Sequence, residues 1–406
     1  MSQQSSSKNV LVINCGSDSI KFQIINMQEK RNIFHGSIGR VGKDDAIIKF
    51  KNNLTEESIN QVQSIKNHHQ GLKIIFSSIP QNCQISVVGH RIVHGGPFFK
   101  NAVILDDDVI KKIEECTPLA PLHNPIGLVG IKESMQLLPS VKHVASFDTA
   151  FHQNKSEEDY LYSFPSSIFE KYKIRKYGFH GASHKYVAHR AADLLHKKIT
   201  DLKLITCHLG NGSTITAVEN GVAIDTSTTF GTACGMPMGT RSGDFDPTII
   251  LHLIDNCKMS TKEVHQLLYK ESGLLGVSAL SNDMREIRKA ATEGNSKAKL
   301  ARKLYIQSAI KFIGSFLARM RGADAIIFAA GIGENDWELR EEIANSFNWC
   351  GVEVDVEKNR GESNSDVIFS KVNSKIKLLV IPTNEEMMIA ADALEALDIK
   401  ITNNIS

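Results

Sequence analysis

Hydrophobic positions along this chain fall into short β-prone runs set between longer helical stretches. Residues 10–13, 21–25, 33–38 and 46–50 read as a meander of strands, and residues 202–207, 213–218 and 222–226 repeat that opening far along the chain. Residues 85–88, 141–146 and 378–381 read as further buried strands, and 325–330 as another that ends in Gly331. Ser296–Met320 is the clearest helix. Its Leu300, Leu304, Ile310, Ile313, Leu317 and Met320 recur at helical spacing as a core-facing stripe, with Gly322 as the stop. Residues 385–397 read as a closing helix that packs back on the first domain. Strands and helices alternating in this way predict an α/β fold.

Within the repeated pattern, two segments look like copies of one device. LVINCGSDSIKF (residues 11–22) and ITCHLGNGSTITAV (205–218) each run an apolar strand into a glycine-serine turn and out along a second strand. Glycine lets backbone N–H groups approach a ligand, and a ring of such donors holds phosphate. Two such hairpins predict two similar domains gripping one polyphosphate between them. The polar, turn-rich stretch 154–172 marks the boundary, giving one domain of 8–153 plus 386–406 and a second of 154–385.

Composition narrows the class. At 406 residues the chain can bury more than one core. Its 42% hydrophobic and 23% charged content is that of a soluble globular protein, and a net charge of +2 argues against bulk nucleic-acid binding. No apolar run is long enough to span a membrane, and MSQQSSSKN reads as a flexible polar lead without a signal core. Seven scattered cysteines with no CxxC pair point to a reducing, cytoplasmic compartment.

Chemistry-bearing residues recur near the ends of the predicted strands. Asn14, Ser17, Ser19 and Lys21 supply oxygen ligands, hydroxyls and a cation in the first hairpin. Arg91, inside the apolar strand of GHRIVHGGP, demands an anion: a ligand or a structural carboxylate. His90 and His94 lie too far apart along a strand to share a metal. His123 sits between prolines in PLHNP, either a stiffened functional loop or an ordinary turn. Asp148 follows a strand, where α/β sheets place ligands but where helix caps also occur. His180 in YGFHGASH opens a helix as a hydrogen-bond donor, with His184 one turn on. Arg241 in MGTRSGDFDP suits phosphoryl oxygens, or else an internal ion pair with Asp244 or Asp246. AAGIGEN lets a flat ligand lie against Gly331 and Gly333, and in IPTNEE Thr383 or Asn384 caps a helix beginning with Glu385 and Glu386.

INCGSDSIK, GHRIVHGG, APLHNP, FDTAFH, YGFHGASH, HLGNGST, GTRSGDFDP, SGLLGVS, GIGEN and PTNEE occur in the order found in the acetate kinase family, of the sugar-kinase, actin and Hsp70 superfamily. The resemblance runs over nearly the whole chain. It implies two duplicated RNase H-like (actin-like ATPase) domains with a cleft between them, a cytoplasmic homodimer, and reversible phosphoryl transfer from ATP to acetate by direct in-line displacement, giving acetyl phosphate and ADP. It implies Mg²⁺, with Mn²⁺ as an alternative, held by Asn14 and Glu385. By motif, Asp148, His180 and Arg241 look catalytic, Arg91 and His123 look like substrate ligands, and Val93, Leu122 and Phe179 resemble the pocket for the acyl methyl. Lys21, His208, Leu209, Gly210, Asn211, Gly212, Asp283, Met284, Arg285, Gly331, Ile332, Gly333, Glu334 and Asn335 resemble the ATP site. No nucleic-acid or membrane partner is implied. A carboxylate acceptor is ionised at neutral pH, so Asp148 is expected to orient an arginine or a metal-bound water and not to remove a proton.

Two departures from the family stand out. Asp18 occupies a serine position in the first hairpin, where it opposes phosphate unless it points away or meets the metal. Residues 228–235, TTFGTACG, replace a stretch close to MGFTPLEG, so Thr232 stands for a pocket-lining proline and Cys234 for a glutamate. Propionate or butyrate kinases of the family are the near alternative, against which Val93 keeps the pocket small. A non-catalytic ATP-binding actin- or chaperone-like protein is the distant one, and it would not need Arg91, His180 and Arg241 together.

Overall fold

The computed structural model describes residues 8–81, 83–361 and 365–399. Most of the polar lead (1–7) and the end of the chain (400–406) lie outside them. Asn9, read as part of that lead, is instead buried at the start of the first strand, where its side chain donates to the Gln84 carbonyl at 3.1 Å. The chain forms two compact units: Asn154–Thr383 is one, and the residues up to Gln153 together with those from Asn384 onward are the other.

The first unit is built on an eight-stranded sheet. Its strands are β1 (Asn9–Cys15), β2 (Ser19–Asn26), β3 (Arg31–Gly39), β4 (Lys43–Asn52), β5 (Ser58–Ile65), β6 (Val87–Ile92), β7 (Val103–Ile104) and β8 (Lys142–Phe147). Their order is β5-β4-β3-β2-β1-β6-β8-β7. β1 to β5 form an antiparallel meander, while β6 runs parallel to β1 and β8 parallel to β6. β1 is buried from Asn9 to Ile13, as a strand covered on both faces requires. One cover is the helix Glu385–Glu395, which packs on β6, β1 and β8. It comes so close that a Cβ on Gly89 would sit 3.0 Å from Ile389 Cγ2.

The second unit repeats the plan. β9 (Lys203–Leu209), β10 (Ser213–Glu219), β11 (Val222–Thr226), β12 (Ala325–Ala329), β13 (Val367–Ile368) and β14 (Lys377–Val380) form a six-stranded sheet in the order β11-β10-β9-β12-β14-β13. In both sheets, three antiparallel strands are followed by two parallel to the first: β3-β2-β1-β6-β8 against β11-β10-β9-β12-β14. The duplication read from the two hairpins is therefore present at the level of whole sheets.

The helix Ser296–Met320 forms with the expected bounds, but its buried face differs from the expected stripe. Leu300 and Leu304 are 51% and 42% exposed, and Ala298, Ala301, Tyr305, Ile306, Ala309, Ile313 and Phe316 turn inward beside Leu317 and Met320. Small alanines let the helix approach the sheet, and a stripe read from large residues alone misses them. Arg321 takes the left-handed conformation and Gly322 donates to the Leu317 carbonyl at 2.8 Å, which closes the last turn. The strand read as 325–330 ends at Ala329, and Ala330–Asn335 is a short helix. No described helix is long and apolar enough to cross a membrane.

Candidate active site

In the first unit, parallel pairing of β6 with β8 sets Arg91 opposite Ser146 and so brings it beside Asp148. Arg91 donates from Nε to Asp148 Oδ1 at 2.9 Å and from Nη2 to Oδ2 at 2.8 Å. Its third nitrogen, Nη1, lies 3.6 Å from Glu385 Oε2. Burial alone would lower the Arg91 pKa, but Asp148 and Glu385 outweigh it and push the value up, so the cation is locked in place. Asp148 is 5% exposed and caps no helix. The structural carboxylate and the ligand-binding reading of Arg91 thus meet in one group: two nitrogens are fixed by Asp148 and the third is directed to Glu385.

Glu385 and Glu386 open the helix Glu385–Glu395, with Asn384 as cap accepting from Met387 N–H at 3.0 Å. Burial, and then its neighbour Glu385, pushes the Glu386 carboxyl up against the opposing pull of backbone hydrogen bonding, Arg91 and Lys21. Asn14, one residue before the end of β1, lies directly across the hairpin from Lys21. Among the described residues no three His, Cys, Asp or Glu side chains are grouped to hold a metal. A hard cation that keeps waters and binds substrate phosphates needs only one or two protein oxygens, which Asn14 and Glu385 provide chemically. Asp18 is exposed; its backbone carbonyl accepts from Val41 N–H and its side chain lies outside the core.

His123 is exposed at the cap position of the helix Asn124–Leu137 and makes no capping bond. The loop is held less by its prolines than by Asn124, whose buried amide exchanges hydrogen bonds with the His94 backbone at 3.1 and 2.8 Å. Val93 is half-buried and Leu122 is exposed. In the second unit, Phe179 is buried.

In the second unit, His180 adopts a left-handed conformation (φ 54°) immediately before the helix Gly181–Leu194. Its ring stacks on His208 of β9 at 4.2 Å between centroids. A Cβ on Gly212 would lie 3.1 Å from His180 Cε1 and 3.3 Å from Nε2, so glycine is what lets the second hairpin turn meet this ring. His184, one helical turn on, is buried with both ring nitrogens on threonine hydroxyls.

The Arg241 loop is docked on the same turn: Gly239 N–H donates to the Asn211 carbonyl at 3.1 Å, and a Cβ on Gly239 would run into Asn211 Oδ1. The Leu274 and Leu275 N–H groups, from SGLLGVS, bind the Met238 and Gly239 carbonyls. Arg241 Nη1 donates to the Thr232 carbonyl at 3.2 Å. Burial lowers its pKa, with only Tyr269 opposing. Among the described residues Arg241 forms no ion pair with Asp244 or Asp246: Asp244 accepts from Gly235 N–H and Asp246 holds Thr248. A half-buried guanidinium held on neutral groups is what an anion ligand would complete. Thr232 therefore touches the arginine through its backbone. Cys234 Sγ sits against Thr229 N and Oγ1 at 3.2 and 3.1 Å, bracing the turn.

Beside these residues lies a cavity of about 1110 Å³ lined by Gly210, Asn211, Asp283, Met284, Arg285, Gly331, Ile332 and Asn335. Asn282, Arg288, Lys289 and Thr292 also line it and went unread in the sequence. His208, Leu209 and Gly212 carry the turn, and Gly333 and Glu334 carry the short helix: buried Arg340 donates to the Gly333 carbonyl at 2.9 Å and the Glu334 carbonyl at 2.6 Å. The helix Met284–Thr292 lines this cavity along its length, from Met284 and Arg285 to Thr292, with Asp283 as cap paired to Arg285. The space suits a nucleotide-sized ligand.

The sequence model of the acetokinase family matches residues 9–391. The chain is 44% identical to acetate kinase of Clostridium novyi over 98% of its own length and 99% of that protein's. It is 46% identical to acetate kinase of Geobacillus sp., covering 96% and 99%. Its structure superposes on that of Porphyromonas gingivalis acetate kinase with TM-score 0.91 at 37% identity, covering 96% and 100% of the chains. A propionate kinase from Francisella tularensis gives 0.90 at 38%, covering 96% and 99%.

Proposed function

The chain belongs to the acetokinase family, and on that premise we propose that it transfers the γ-phosphoryl group of ATP reversibly to acetate. The observation that carries this reading is Arg241, a half-buried guanidinium on neutral partners beside a glycine turn and a nucleotide-sized cavity. An acetate oxygen forms the new bond to phosphorus, the bond to the bridging oxygen of ADP breaks in line, and no proton needs to leave the nucleophile. Positioning and cations therefore dominate the catalysis.

In this reading Arg91, oriented by Asp148, binds the acyl carboxylate or phosphoryl oxygens together with His123, and Arg241 and His180 stabilise charge on the transferring group. Lys21 and the cavity residues hold the nucleotide. Asn14 and Glu385 would hold magnesium, which neutralises phosphate charge when bound. Val93, Leu122 and Phe179 contact the acyl methyl.

A homodimer in the cytoplasm belongs to the same proposal. The helix Thr248–Asp255 supports the dimer, since it buries none of its residues and leaves Leu251 61% and Ile249 46% exposed. The seven free cysteines fit a reducing compartment.

The test is to trap acyl phosphate with hydroxylamine, supplying ATP, magnesium and acetate, propionate or butyrate. Acetate is expected to be preferred over propionate by roughly 10-fold or more in kcat/KM, the discrimination one methylene allows. No acyl phosphate from any of the three overturns the phosphotransferase; a propionate preference overturns the choice of acetate.

A further inference from the structure

The turn of the first hairpin is held by its carbonyls. Gly16 N–H donates to the Ser19 carbonyl at 2.8 Å, and Val41 N–H donates to the Asp18 carbonyl at 2.8 Å. The Gly16 carbonyl is held by a side chain: His68 Nε2 lies 2.8 Å from it. A carbonyl oxygen can only accept, so Nε2 is the donor.

His68 comes from outside the hairpin. It is half-buried and is the first residue of the helix His68–Ser78. The start of that helix is fixed from both directions. Asn67 Oδ1 accepts from Gln70 N–H at 3.0 Å, and Gln70 Oε1 accepts from Lys66 N–H at 2.9 Å. The helix is docked closely on β2, because a Cβ on Gly71 would sit 2.8 Å from Ile20 Cδ1. The ring therefore reaches the turn from a rigid support.

What this bond does follows from the shape of one peptide unit. The Gly16 carbonyl and the Ser17 N–H belong to the same planar group, and no described peptide bond is cis, so the two point in opposite directions. Turning the carbonyl to His68 turns the Ser17 N–H to the other side of the turn. Ser17 is exposed, and its N–H makes no bond to another described residue. Glycine has no Cβ, so the peptide after Gly16 can flip at little steric cost. The flipped peptide would aim a carbonyl where the N–H stands, and an anion needs the N–H. Asn14 and Lys21, assigned above to magnesium and the nucleotide, face each other on the two strands that this turn joins.

We propose that His68 is a positioning residue for phosphoryl transfer: by holding the Gly16 carbonyl it fixes the 16–17 peptide with the Ser17 N–H turned to the terminal phosphoryl group of the nucleotide. The role of the Ser17 N–H rests on the phosphotransferase reading; the fixing of the peptide does not.

Two measurements test it. His68→Leu removes the donor, and His68→Gln offers an amide N–H in the place of Nε2. In calorimetry with magnesium, His68→Leu is expected to bind a non-hydrolysable ATP analogue roughly 10-fold more weakly, the worth of one charge-assisted hydrogen bond, and ADP within about 2-fold of the wild type. Its kcat is expected to fall roughly 10- to 100-fold with KM for acetate within about 3-fold, as for a displaced donor. His68→Gln is expected to restore both. Equal weakening of the analogue and ADP, no weakening of either, or a glutamine variant as impaired as the leucine one overturns the proposal. The second measurement is a pair of crystal structures, of the wild type and His68→Leu. The 16–17 peptide is expected to be flipped or divided between two orientations in the variant, and an unmoved peptide overturns the proposal whether or not the protein is active. A wild type that binds neither nucleotide overturns the role of the Ser17 N–H together with the functional reading, and the crystal structures still decide whether His68 fixes the peptide.

Discussion

Arg91 and Asp148 grip each other through two parallel hydrogen bonds, 2.9 Å from Nε and 2.8 Å from Nη2. In the proposed reaction, a carboxylate with both oxygens committed to one guanidinium serves to orient it and not as a base. Asp148→Asn keeps the shape and loses one acceptor and the charge. It should lower kcat/KM for acetate by roughly 100-fold, since a misplaced clamp costs about that much. Asp148→Ala should in addition destabilise the fold by about 2 kcal/mol, because a mostly buried cation loses its two close hydrogen bonds and keeps only Glu385 at 3.6 Å. Steady-state kinetics at saturating magnesium and urea denaturation check these two effects. An unchanged maximal rate in Asp148→Asn would exclude an orienting role.

Arg241 should behave in the opposite way. Its guanidinium is desolvated without a carboxylate, so the fold gains little from it. Arg241→Ala should cut turnover about 10³-fold and leave the thermal midpoint nearly unchanged. Rate and melting temperature measured on the same preparation separate the two effects. A large loss of stability would make the residue structural.

Acid should destabilise the first unit through its buried histidines. Burial drops His94 from the usual 6.5 to about 3, and burial lowers His90 and His143 too. These folded-state values are depressed, so the unfolded chain takes up protons first. The stabilisation is complete above pH 6.5 and is lost as pH falls toward 3. His94→Gln should reduce the slope of stability against pH in that window by up to about 1.4 kcal/mol per pH unit, the value for one proton. Urea titrations across the window test this, and an unaltered slope would clear His94 of the effect.

The buried face of the helix Ser296–Met320 separates two readings of one pattern. Leu300→Ala should change stability by less than about 0.5 kcal/mol, as for an exposed site. Ile313→Ala, at a fully buried position, should cost about 3 kcal/mol. Equal losses would restore the stripe read from the large residues.

What was legible in the sequence was local. The strands β1 to β4 and β9 to β11 alternate or run apolar, and the two glycine turns between strands announce themselves by residue type. The strand β5 did not, because seven of its eight residues are exposed at a sheet edge and it carries no hydrophobic signal. The helix Ala330–Asn335 is too short to show a period and holds two glycines, which disfavour helix by propensity. Site residues that stand in motifs were visible one by one. Their partners were not: Asp148 reaches Arg91 only because β6 and β8 lie side by side in register, and His68 reaches Gly16 only because the helix His68–Ser78 packs on β2. Arg340, which braces the Gly333 and Glu334 carbonyls, lies on a helix face with nothing in its neighbours to mark it.

The helix Glu385–Glu395 has a consequence for biosynthesis. A ribosome delivers β1, β6 and β8 early, but the residues that cover them and bring Glu385 to Arg91 emerge only after all of Asn154–Thr383. The first unit therefore begins to form first and finishes last, and a chain released at Thr383 would carry the whole second unit while Arg91 lacked one of its two carboxylates. Premature termination would yield a protein with a bare sheet face, recognisable to quality control long before any assay of activity.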